Sequence, residues 1–128
     1  MLAQITPFRK KRILIVDDEP DSGDILAQCL GKMYDVVLAR DGQEGLERAA
    51  TYQPDLIISD VTMPRLSGLA MVNRLRRQQG SKVPVIFISA LASPRDVIAG
   101  ISAGARHYLT KPVELADLKK RVAKALGQ

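Results

Sequence analysis

Five short apolar runs alternate with longer amphipathic segments along the chain: "RILIV" (12–16), "DVVLA" (35–39), "DLIIS" (55–59), "VPVIFIS" (83–89) and "ARHYL" (105–109). The central three are nearly continuous Val, Ile and Leu, the pattern of parallel strands covered on both faces. The segments between them carry helix punctuation. "DGQE" (41–44) offers Asp41 as an N-cap with Glu at the third helical position, and "SPRD" (93–96) repeats this with Pro at the first. Gly31, Gly80 and Gly104 fall where helices should stop, as left-handed C-caps. Over 114–126, Leu115, Leu118, Val122 and Ala125/Leu126 form one helical stripe. The pattern predicts five successive βα units, hence one parallel sheet with helices on both faces. In such open sheets the functional crevice lies beyond the carboxyl ends of the strands.

Composition narrows this without redirecting it. With 128 residues, 46% hydrophobic and 26% charged, the chain suits one soluble domain. No apolar run approaches the roughly 20 residues that span a bilayer. The basic residues of "MLAQITPFRKKR" follow its apolar ones, the reverse of a secretory signal, and the expected location is cytoplasmic. The single cysteine, Cys29, excludes an intrachain disulfide and reads as a core thiol. The net charge of +5 comes largely from "RKKR" (9–12) and "RLRRQQGSK" (74–82), read as a flexible basic arm over 1–10 ahead of a domain over 11–128, plus one exposed helix face. Neither direct nucleic-acid binding nor a membrane partner is expected.

Candidate chemistry collects at the strand ends. In "ILIVDDEP" (13–20) a buried-looking strand runs into Asp17, Asp18 and Glu19. Two carboxylates about 4 Å apart repel by about 4 kcal/mol at an effective dielectric near 20, so something must offset the repulsion. The third run ends at Asp60, the fourth at Ser89 and the fifth at Lys111. If these strands are neighbours, three carboxylates, a hydroxyl and an ammonium converge on one pocket. Mg²⁺, a hard ion that takes carboxylate and phosphate oxygens, suits that donor set. Asp60 is the natural nucleophile for an aspartyl-phosphate, with charge stabilisation and positioning supplying most of the catalysis. Taken singly, each residue has a plainer role: Asp17–Asp18 as a helix cap, Asp60 as a turn acid, Ser89 as a cap, Lys111 as a surface lysine. The constellation outweighs its members.

At "ILIVDDEP", "PDLIISDVTMPRLSG", "VPVIFISA" and "GARHYLTKP" the chain resembles the receiver domain of bacterial two-component response regulators, the chemotaxis-regulator-like family, over roughly residues 11–127. The resemblance implies a flavodoxin-like (βα)₅ fold with strand order 2-1-3-4-5 and a phosphoryl group taken onto Asp60 from a phosphohistidine on a sensor kinase or histidine phosphotransfer protein. It implies Mg²⁺ held by Asp17, Asp18, Asp60 and the Thr62 carbonyl, with Asp17 acting mostly through water. Lys111 bridges acceptor and phosphoryl oxygen, and the Lys111–Pro112 bond is typically cis. Ser89 and Tyr108 form the switch that reshapes the surface of the fourth helix, fifth strand and fifth helix toward an output protein or domain. By the same resemblance the side chains of Thr62 and Leu91 flank the acceptor and tune the phosphoryl lifetime, while Glu19 is read as adding only negative potential and beginning the helix. "RHY" (106–108) replaces the acidic or small residues common before the aromatic, which puts the lone histidine, His107, at the output surface.

The chain is therefore expected to be a phosphoacceptor with self-catalysed transfer and autodephosphorylation, not a true enzyme, and a monomer or weak dimer. The alternative is a docking module that works without phosphorylation. A haloacid-dehalogenase phosphatase needs Asp-x-Asp where this chain reads Asp60-Val61-Thr62. A flavin binder needs a phosphate loop where "DDEPD" would repel phosphate.

Overall fold

The computed structural model describes residues 9–128, so most of the basic arm expected over 1–10 lies outside the described residues. The elements follow in strict alternation: β1 (Arg12–Val16), α1 (Pro20–Leu30), β2 (Asp35–Ala39), α2 (Gly42–Tyr52), β3 (Leu56–Asp60), α3 (Gly68–Gln78), β4 (Val85–Ser89), α4 (Pro94–Ser102), β5 (His107–Thr110) and α5 (Leu115–Ala125). The strands pair in parallel in the order β2-β1-β3-β4-β5. This is the doubly wound, flavodoxin-like arrangement that the alternation of runs predicts.

The near-continuous apolar strands divide their side chains between two cores. Leu14, Val16, Ile57, Val85 and Phe87 pack on one face against Leu46 of α2 and Met71, Val72 and Leu75 of α3. Ile13, Ile15, Leu56, Ile58, Ile86 and Ile88 pack on the other against Leu26 and Leu30 of α1 and Leu118 and Val122 of α5. Each such side chain, buried from water, contributes about 1.5–3 kcal/mol. No helix of the described residues is long and apolar enough to cross a membrane.

The helix starts agree with their sequence signals. Asp41 accepts a hydrogen bond from the Glu44 N–H, and Ser93 from the Asp96 N–H. Ser67 caps α3 in the same way. The stops agree less well. Gly80 and Gly104 have positive φ, but Gly31 is right-handed, because α1 tightens into a turn in which Met33 and Tyr34 both donate to the Leu30 carbonyl. The left-handed residue after α2 is Gln53 instead. Two packing expectations also shift. Leu115, at the first position of α5, is 40% exposed while Leu118, Val122 and Ala125 of its stripe are buried and Leu126 partly so, and Cys29 is only half-buried.

Candidate functional site

Strand register decides what meets at the carboxyl edge. Val16 lies beside both Ala39 and Ser59, Asp60 beside Ile88, and Ser89 beside Thr110. The positions that follow β1 therefore lie beside the tip of β3, and those that follow β5 lie one strand further on, across the tip of β4. Asp17 is pinned there by its N–H to the Ala39 carbonyl (3.0 Å), and Lys111 by its N–H to the Ser89 carbonyl (2.8 Å). The Lys111–Pro112 peptide is cis.

Carboxylate oxygens of Asp17, Asp18 and Asp60 lie within 4.8 Å of one another. Lys111 Nζ donates to Asp60 Oδ2 at 2.9 Å and stands 4.0 Å from Asp17 Oδ2. Asp60 Oδ1 accepts the Thr62 N–H at 3.1 Å, which directs the carboxylate from both sides. Asp17 Oδ1 accepts the Glu19 N–H at 2.9 Å. That is a local Asx turn and not a helix cap: Glu19 occupies the N-cap of α1 without a side-chain capping bond. Asp17 and Asp60 are both buried, at 3% and 8% exposure.

Burial pushes the Asp17 carboxyl above its ordinary range, aided by the charges of Asp60 and Asp18 and opposed by the Glu19 N–H and Lys111. Burial pulls the Lys111 ammonium down, but its hydrogen bond to Asp60 and the charges of Asp60, Asp17 and Glu19 outweigh this, leaving it raised overall. One ammonium thus faces three carboxylates, and the pocket remains short of positive charge. All the side-chain donors are hard oxygens, which fits a divalent ion such as Mg²⁺.

Ser89 is buried and its Oγ accepts the Leu91 N–H at 3.1 Å, tying it to the β4–α4 loop. Tyr108 is half-buried, and its hydroxyl donates to the Leu91 carbonyl at 2.8 Å. The two residues paired in sequence as a switch therefore meet on one loop residue. His107 lies on the other face of β5, where its Nδ1 accepts from Arg121 Nη1 at 3.3 Å. Burial, then the charges of Arg121, Lys124 and Arg106, hold its pKa below the ordinary value, with Asp117 opposing.

Two glycines escaped the sequence reading. A Cβ on Gly68 would overlap the Asp60 carbonyl oxygen, so the residue that opens α3 lets the helix close onto the acceptor strand. A Cβ on Gly100 would come within 2.6 Å of the Tyr108 ring. Gly100 sits inside "VIAGIS", and a glycine within a helical pattern is the available signal for such close packing.

With fold and pocket in view, the chain belongs to the response regulator receiver domain family, whose pattern it matches over residues 13–123. It is thus a receiver domain of the two-component signalling class. It is 40% identical over 113 residues to the DNA-binding dual master transcriptional regulator RpaA of Synechocystis, covering 87% of this chain and 47% of that protein. It is 39% identical over 111 residues to a probable cyclic di-GMP phosphodiesterase of Vibrio cholerae, covering 86% of this chain and 25% of that one. The chain thus spans about half or a quarter of the length of these relatives. Among solved structures, chemotaxis protein CheY4 of Vibrio cholerae superposes with a TM-score of 0.85 at 32% identity, over 91% of this chain and 99% of that one.

Proposed function

We propose that the chain accepts a phosphoryl group on Asp60 from a phosphohistidine of a sensor kinase or histidine phosphotransfer protein, and that this changes its binding to an output protein or domain. The observation that carries the reading is the Lys111–Asp60 pair at 2.9 Å inside a cluster of three carboxylates at adjoining strand ends.

In the transfer, an oxygen of the Asp60 carboxylate forms a bond to phosphorus while the phosphorus–nitrogen bond breaks, and the imidazole leaves with the bonding electrons. The Thr62 N–H and Lys111 hold the carboxylate in one orientation before attack. Lys111 then meets a phosphoryl oxygen and stabilises the charge spread over the transferring group. Asp17, Asp18, Asp60 and the Thr62 carbonyl would hold Mg²⁺, which when bound supplies the positive charge that lets the carboxylates and the phosphoryl oxygens share the pocket. A groove of about 530 Å³ adjoins the pocket, lined by Ile25, Leu26, Pro112, Val113 and Leu115, and offers apolar footing to the donor protein.

Readout runs through the β4–α4 loop. A phosphoryl oxygen that draws the Ser89 hydroxyl removes the acceptor of the Leu91 N–H, and the carbonyl of that same residue holds Tyr108. Release of Tyr108 reshapes the face formed by α4, β5 and α5, as a population shift between two arrangements.

The test is intact mass after incubation with Mg²⁺ and acetyl phosphate, with Asp60→Asn alongside. The expected result is a Mg²⁺-dependent gain of one phosphoryl group, absent in the variant. No gain while metal binding is intact would instead favour a docking module that works without phosphorylation.

A further inference from the structure

The pole opposite the acidic pocket, where the strands begin, gathers cations that lie far apart in sequence. The 9–12 segment leads into β1, Lys32 sits in the α1–β2 turn, Arg76 and Arg77 end α3, Lys82 precedes β4 and Arg106 precedes β5. The sequence treats 9–12 and 74–82 as two separate solvated stretches; the parallel topology brings them to one end. Carboxylates among these same turns and strand starts are Asp35 and Asp55, and Asp55 is engaged by the Arg12 backbone N–H at 2.8 Å. The ion pairs found among the described residues are made elsewhere, by Arg40, Arg48, Arg65, Lys111 and Arg121. The cations of the pole have no carboxylate partner there. Arg76 is held below its ordinary pKa by burial and by Arg106. Helix dipoles account for Arg76 and Arg77 at a helix end. They also account for Arg12, whose Nη1 donates to the Tyr52 carbonyl at the end of α2 at 2.9 Å, but not for 9–11, Lys32, Lys82 or Arg106, which lie outside helices.

We propose that this pole docks on an anionic phospholipid surface, leaving the acidic pocket facing away from it. The cations ring the ends of several elements and do not line a groove, which suits a broad charged plane that acts across a Debye length. Met33 stands among them in the α1–β2 turn at 63% exposure, an apolar group that the headgroup layer takes up and that a phosphate backbone gives no partner. The acidic pocket at the opposite pole is repelled by the same surface, so one orientation is selected. Asp60 and Lys111 then stay open to a phosphodonor. The absence of a long apolar helix among the described residues does not bear on surface docking.

The full chain is mixed with vesicles of phosphatidylcholine containing phosphatidylglycerol, and with vesicles of phosphatidylcholine alone, and the bound fraction is read by sedimentation. Binding to the anionic vesicles only, weakening as salt is raised, is expected. The double variant Lys11→Glu/Arg77→Glu should bind at least about tenfold more weakly. Arg95→Glu/Lys119→Glu makes the same charge change away from this pole and should stay within about twofold of the parent. Circular dichroism confirms that both variants fold, and Lys11→Gln/Arg77→Gln, which adds no negative charge, should fall between them. Equal loss in the two double variants, equal binding to neutral vesicles, or no binding at all would overturn the proposal. Tighter binding to duplex DNA than to the vesicles at the same salt would also overturn it and assign the pole to nucleic acid.

Discussion

β3 and β5 belong to one sheet, separated only by β4, yet they are built for opposite demands. All five residues of β3 are buried, and the strand ends in Asp60, held by Thr62 and Lys111. β5 has four residues at the sheet edge, of which only Leu109 is buried. A nucleophile must be held within a fraction of an ångström, and a packed central strand does that. A readout element must move at lower cost, and the edge strand carries a half-buried aromatic whose hydroxyl makes one bond, to the Leu91 carbonyl, and whose ring packs edge-on against Phe87 at the margin of one core. On the proposed function, the contrast divides reactivity and response between centre and edge, joined through β4 and the loop after Ser89.

Truncation should separate the two regions most strongly. Ile57→Ala in β3 removes a fully buried side chain and is expected to cost about 2–5 kcal/mol in chemical denaturation. His107→Ala in β5 should stay within about 0.5 kcal/mol of the parent. Similar losses at both positions would erase the distinction. Next in size, Lys111→Met should slow phosphoryl uptake from acetyl phosphate by about 100-fold or more, while the fold persists. A rate close to the parent's would remove Lys111 from the chemistry.

Gly100→Ala sharpens the comparison from the edge. The new methyl displaces the Tyr108 ring at a cost of about 1–3 kcal/mol, and should leave the uptake rate unchanged while shifting the amide resonances of β5. Loss of uptake would mean that centre and edge are not separable. The smallest effect is on pH dependence. The pKa of His107 in the folded chain lies below its ordinary 6.5, so the unfolded chain takes up the proton more readily. Stability is therefore lost as pH falls through 6.5 toward the lowered value, and levels off below it. Denaturation between pH 7 and 5 should show a slightly steeper loss in the parent than in His107→Gln.

Much of the site was legible because its members interrupt apolar runs. Asp17, Asp60 and Ser89 stand where a buried strand stops and Lys111 just past the edge strand, and parallel register then aligns them without further information. Boundaries were less legible. The fourth run was expected from 83, but β4 begins at Val85, after Pro84, which has no N–H for the ladder and contributes only its carbonyl, to Ile57. The fifth was expected from 105, where Ala105 instead closes α4 by donating to the Gly100 carbonyl. What sequence could not supply were contacts between distant segments: Tyr108 on Gly100, Leu91 as the residue that both Ser89 and Tyr108 hold, and the meeting of 9–12 with 76–82 at one pole. These depend on where helices dock, and no local pattern encodes that.

The central claim is that an event at the buried tip of β3 is read at the edge strand β5. The most direct measurement is a map of backbone amide resonances before and after addition of acetyl phosphate with Mg²⁺, with Asp60→Asn as control. The account predicts shifts at Asp60 and Ser89 that extend through Leu91 to residues 107–110 and α4, spare β2, and vanish in the variant. Shifts confined to the pocket, with Tyr108 unmoved while Asp60 is phosphorylated, would contradict it.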